Sequence, residues 1–150
     1  MVERAAGAPI ESTTRSVVGV LRCSLEHLAS EVPESYRHLV AELDRLVVEV
    51  AVDGEVFTLR TGRGRVEVVD GRAAAAGASI ATTRATVLDV LDAEVALAEA
   101  VESGRLDVRG SLDDVLRAHD TLTAYVHAAI RASSVPGLID ALRNTQDGVR

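Results

Sequence analysis

The stretch Glu102-Ser-Gly-Arg-Leu-Asp-Val-Arg-Gly-Ser-Leu112 carries a helix end, a short strand, a tight exit and a new helix start within eleven residues. Gly104 suits the left-handed conformation that closes a helix. From Arg105 to Arg109 the chain alternates, with Leu106 and Val108 on one face and Arg105, Asp107 and Arg109 on the other, the period of a strand. Gly110 frees the backbone to turn. Ser111 is a good N-cap, and Asp114 three residues on completes a pair like the capping box. Leu112, Val115, Leu116, His119, Leu122, Val126, Ala129 and Ile130 then fall on one helical stripe, which predicts a long helix with an apolar face.

Working outward, residues 12–30 read as a first helix, with Val17, Val18, Leu21, Leu25 and Leu28 on one side. Pro33 fits the first position of a second helix, where its missing N–H does no harm. Tyr36, Leu39, Val40 and Leu43 continue that helix. The period then changes to two: Leu46, Val48, Val50 and Val52 alternate with Val47, Glu49 and Ala51. Asp53-Gly54 is a strong hairpin signal. Glu55 to Thr61 runs back with Phe57 and Leu59 on one face, Gly62-Arg63-Gly64 turns, and Arg65 to Val69 makes a third strand.

Residues 73–78 read as a loop entering a fourth strand, Ser79 to Thr83. Thr83 is expected to cap a short helix carrying Val87, Leu88 and Leu91, and Asp92 the next, carrying Val95, Ala98 and Val101. Beyond the long helix, Pro136-Gly137 breaks the chain before a last short helix, Leu138 to Arg143. Residues 1–10 and 144–150 are expected to be flexible tails around a single domain, 11–143. The expected fold is α+β: a five-stranded, mixed, mostly antiparallel sheet covered on one face by helices.

The pattern of a helix closed by glycine, a short Leu-x-Val strand, and Gly-Ser opening an apolar-faced helix resembles the sterol carrier protein type-two family. The likeness extends back to the hairpin at Asp53-Gly54 and covers roughly residues 35 to 132. It implies that the sheet and its helices enclose an apolar tunnel for a lipid-like molecule. It also implies that the last helix gates that tunnel, with Pro136-Gly137 as hinge. Candidate walls are Val48, Val50, Phe57, Leu59, Val66, Val68 and Ile80 from the strands, with Leu88, Leu91, Leu106, Val108, Leu116, Leu122 and Val126. Each is also a normal core residue.

Composition bounds the function. Hydrophobic residues make up 47% of the 150, yet only 2% are aromatic, so any cavity is walled by aliphatic side chains that suit flexible ligands over flat ones. The formal net charge of −7 makes nucleic acid a poor partner, since its binding rests on a positive surface. Cys23 is the sole cysteine, which removes any disulfide framework within the chain and fits a reduced, cytoplasmic setting. The N-terminal residues have no apolar signal-peptide core. The final Asp-Gly-Val-Arg is not a peroxisomal address, which favours a bacterial-type protein. No apolar run approaches the roughly 20 residues of a membrane span.

Signals for chemistry are sparse, and no metal or cofactor is expected. Gly62-Arg-Gly-Arg lacks the third glycine and the Lys-Ser/Thr ending of a phosphate loop. His119 and His127 stand eight residues apart on one helix, about 12 Å of rise at ~1.5 Å per residue, too far to share one metal ion. Ser79, Ser103 and Ser111 are in no nucleophile elbow. His119, on the apolar stripe, has two readings. Facing inward, it anchors a ligand headgroup or serves as acid and base; at the stripe's edge, it is a half-solvated surface histidine.

The expected function is therefore the binding and carrying of a hydrophobic molecule of fatty-acyl, sterol or polyketide type. An enzyme acting on a hydrophobic substrate through His119 is one alternative. An interaction module, whose stripe on residues 12–30 docks on a partner, with a homodimer as one arrangement, is the other.

Overall fold

The computed structural model describes residues 16–134 together with Gly137, Leu138 and Asp140. Two helices lead, α1 (Val17–Glu31) and α2 (Pro33–Leu43). Strands β1 (Val48–Val52), β2 (Glu55–Gly62), β3 (Arg65–Asp70) and β4 (Ala78–Thr82) follow. Two short helices, α3 (Arg84–Leu91) and α4 (Leu97–Glu102), precede β5 (Asp107–Gly110) and the long α5 (Leu112–Arg131). The tails expected at 1–10 and 144–150 lie outside the described residues. So does Pro136 of the expected hinge. Of the expected last helix, Leu138 packs against the core.

The sheet order is β3-β2-β1-β4-β5. Every neighbouring pair is antiparallel except β1 and β4, which run parallel with Val50 beside Ile80. The predicted alternation places Val48, Val50, Val52, Phe57 and Ile80 on the face that the helices cover, and all five are buried. The opposite face carries Arg60 with Glu67 and Arg72 with Glu49 as ion pairs. Such one-sided coverage is what a period of two requires of an antiparallel sheet.

The edge strand β3 is guarded from the helices. Val66 donates its main-chain N–H to the Tyr36 hydroxyl at 3.0 Å. Arg22 donates to the Val68 carbonyl at 2.9 Å, and the Arg65 guanidinium lies 5.9 Å from the Tyr36 ring centroid. Side chains that occupy edge hydrogen-bonding groups deny them to a foreign strand.

The stretch that opened the sequence reading folds as its residues dictate. Gly104 takes φ +82° just past the end of α4. Gly110 takes φ +146°, and a side chain there would meet the Gly77 carbonyl oxygen at 2.6 Å, so β5 leaves the sheet against bare backbone. Ser111 caps α5 by accepting the Asp114 N–H at 3.2 Å. Thr83 caps α3 as expected, through the Thr86 N–H.

One local expectation fails. Asp92 is the C-cap of α3, not the N-cap of the next helix, which begins after Ala96 with no side-chain cap. The chain between them passes through Ala93 at φ +64°, a left-handed residue that closes α3 where glycine is usual. The Arg117 guanidinium of α5 donates to the Glu42 carbonyl at 3.1 Å, at the carboxyl end of α2 where a cation is favoured.

The larger correction concerns α5. Its buried face is made of Ala118, Thr121, Ala124, Ala128 and Ala129. Small side chains let α5 approach α1 and α2 closely, and Ala124, Ala128 and Ala129 share a core cluster with Leu25, Leu28, Tyr36 and Leu39. The helix is thereby turned so that much of the larger apolar stripe points outward. Leu112, Leu116 and Ile130 are 73%, 55% and 67% exposed.

Candidate functional site: an apolar cavity between sheet and helices

Between the covered face of the sheet and the helices lies a cavity of about 170 Å³. The sheet supplies its floor: Val50 and Val52 from β1, Phe57 and Leu59 from β2, Val66 from β3 and Ile80 from β4. Helix α1 contributes Val17, Val20, Leu21 and Leu25, and α2 contributes Leu39 and Leu43. Val87, Val90 and Leu91 of α3 face it with Leu97 and Leu106. Leu122, Tyr125 and Val126 of α5 complete the wall.

The few polar atoms in this wall are already engaged. Thr82 donates its hydroxyl proton to the Arg105 carbonyl at 2.9 Å and Thr121 to the Arg117 carbonyl at 2.8 Å. Thr86 accepts from the Thr83 hydroxyl at 3.0 Å. Ser24 donates to the Leu21 carbonyl at 2.8 Å, so the Tyr125 hydroxyl, 2.7 Å from Ser24 Oγ, is the donor of that pair. Burial pushes the Tyr125 hydroxyl above its ordinary range, opposed in part by Ser24; it stays protonated. Among the described residues no buried side-chain nitrogen or oxygen lacks a partner. The cavity thus presents hydrocarbon, and an occupant gains burial there without finding a hydrogen bond.

Of the candidate walls, Val50, Phe57, Leu59, Val66, Ile80, Leu91, Leu106, Leu122 and Val126 line this cavity. Val48 and Leu88 are buried in the surrounding core, with Val68 and Val108 packed against it. Leu116 is exposed because α5 is turned away from it. His119 does not reach the cavity wall; it is half-buried on the outward side of α5, where its main-chain carbonyl accepts from the Thr123 hydroxyl. The walls from α1 and α2 were not among the candidates. Their helical periodicity was legible, but nothing in a sequence distinguishes packing against the sheet from facing a gap above it. Tyr125 had a weak signal, being one of only two tyrosines. Among the described residues no group of three metal-ligating side chains converges.

No protein-family model and no curated protein matches the sequence. Solved structures do match the architecture. The solution structure of the sterol carrier protein domain 2 of Helicoverpa armigera aligns at TM-score 0.54 and 13% identity, over 73% of this chain and 87% of its own. The chain has the sterol carrier protein 2 fold. Sterol carrier protein 2 from Yarrowia lipolytica, in its apo form, aligns at TM-score 0.52 and 12% identity, over 75% of this chain and 91% of its own. The UbiJ-SCP2 ubiquinone synthesis protein aligns at 0.50 and 19% identity, over 64% and 78%. At these identities the likeness is one of fold. Among the described residues no helix is long and apolar enough to cross a membrane.

Proposed function

We propose that the protein binds and carries a hydrophobic molecule through an aliphatic chain held in this cavity, with residues 11–143 as the carrier domain. The observation that carries the reading is the almost wholly apolar wall, whose few hydroxyls are engaged within the protein. The proteins that share the fold are named as sterol carriers, which supports a hydrophobic ligand here as well. A flexible acyl or similar chain meets almost only hydrocarbon in the cavity of about 170 Å³. Burying each methylene contributes roughly 0.8 kcal/mol before the cost of immobilising the ligand, so affinity is expected to rise with the length of chain the cavity holds. A half-buried lone thiol, Cys23, fits a reducing compartment such as the cytoplasm.

Native mass spectrometry of protein purified gently from its source tests the reading, with the denatured organic extract analysed in parallel. A discrete apolar mass that departs on denaturation is expected. A clean apo mass together with no uptake of fluorescent fatty acids of any length contradicts it.

A further inference from the structure

The outward side of α5 is a second apolar surface, independent of the cavity. Leu112, Leu116, His119, Thr123, Val126 and Ile130 recur at alternating steps of four and three residues. That is the narrow seam by which one helix packs along another. The three large aliphatic residues among them are the most exposed of the described chain, at 73%, 55% and 67%. The Thr123 hydroxyl is turned back onto the His119 carbonyl at 2.9 Å, so it makes no demand on a partner.

The seam is palindromic. When a second α5 is laid antiparallel and centred between His119 and Thr123, Leu112 faces Ile130, Leu116 faces Val126, and His119 faces Thr123, each pair occurring twice. At the two ends of the seam the charges follow the same symmetry, while the exposed Asp120 falls near its own copy at the centre. The first turn of α5 is acidic, with Asp113 and Asp114, and its last turn carries Arg131, next to His127. An antiparallel partner sets each acidic end against a basic one and opposes the two helix dipoles. The same surface patch meeting itself is the closed, isologous contact that a twofold axis generates.

We infer that two copies of this chain associate through an antiparallel pairing of α5, centred between His119 and Thr123. A single pair of 20-residue helices, each about 30 Å long, makes a small contact against the standard interface of about 800 Å² per partner. The dimer is therefore reversible and concentration-dependent. Val126 lines the cavity on one side and joins the seam on the other, so the partner helix stands directly behind the cavity wall.

Sedimentation velocity of the full chain over a range of concentrations tests this. The wild type is expected to pass reversibly from monomer to dimer. Leu116→Glu and Ile130→Glu, both at exposed positions, are expected to weaken association at least tenfold with an unchanged circular dichroism spectrum. Orientation is read in a Cys23→Ser background whose fold is checked in the same way. A mixture of Leu112→Cys and Ile130→Cys proteins is expected to form a mixed disulfide, while neither bridges to itself. A wild type that stays monomeric up to millimolar concentration overturns the inference. So does a dimer of unaltered strength in both Glu variants, or a Leu112→Cys protein that cross-links with itself.

Discussion

The Glu55 carboxylate, at the start of β2, accepts the main-chain N–H groups of Val17 and Val18 at 3.1 and 2.9 Å. It thus acts as a tertiary cap on α1, beside the Ser16 hydroxyl that accepts the Gly19 N–H. Its hairpin neighbour Asp53 does the same for α3, accepting the Arg84 N–H at 2.9 Å. One turn between β1 and β2 therefore fixes the starts of two helices that wall the cavity. Replacing Glu55 by Ala leaves first-turn donors without partners and is expected to cost about 1–2 kcal/mol, the upper range of a lost cap. Urea denaturation reads this directly. Because Val17 and Val20 are cavity walls, the same variant is expected to bind acyl chains more weakly even where it is fully folded.

The Tyr125–Ser24 pair separates polarity from volume. Tyr125→Phe removes a hydroxyl already engaged with Ser24, so uptake of an aliphatic chain is expected to be unchanged, with a stability loss of about 1 kcal/mol. Tyr125→Ala enlarges the cavity. It is expected to cost about 3–5 kcal/mol and to shift the preferred chain toward greater length. A chain-length series measured by displacement of a fluorescent fatty acid distinguishes the two.

Gly110 tests the packing of β5. Its φ of +146° and its approach to the Gly77 carbonyl leave no room for a side chain. Gly110→Ala is expected to destabilise by about 1–3 kcal/mol, read by thermal or urea unfolding. Ala93 is the converse case. It holds φ +64° without being glycine, so Ala93→Gly is expected to stabilise by about 1 kcal/mol.

The Glu31 carboxylate gathers the turn that follows α5. The Ser134 hydroxyl and N–H and the Ser133 hydroxyl donate to it, with His27 3.4 Å away. These bonds, Ser134 first, hold its pKa below the ordinary 4.5. A depressed folded value means that the carboxylate stabilises the fold above the ordinary value. That contribution is lost as pH falls through the lower, folded one. In urea titrations the gap between wild type and Glu31→Gln is expected to be level at neutral pH and to close on acidification below the ordinary carboxylate range.

The strands were legible because their period of two and their glycine turns are local, as Asp53-Gly54 and the Val48, Val50, Val52 series show. The caps at Ser111 and Thr83 and the break at Gly104 are equally local. The orientation of α5 was not legible. Its sequence offers two apolar faces, one of alanines and one of larger residues, and hydropathy favours the larger. The structure buries the alanines because close approach to α1 and α2 selects for size, a tertiary fact. The cavity was legible only as a set of inward positions. Val50 and Val48 alternate identically, yet only Val50 faces the gap, since the gap is set by how far the helices stand from the sheet.

Isotope-filtered NMR of the protein with a uniformly labelled medium-chain fatty acid tests the central claim most directly. Contacts from the acyl chain to Phe57, Ile80 and Leu106, abolished by filling the cavity with Leu122→Trp in a folded protein, are the predicted result. Contacts confined to Leu112, Leu116 and Ile130 on the outer side of α5, or saturable binding untouched by Leu122→Trp, contradict it.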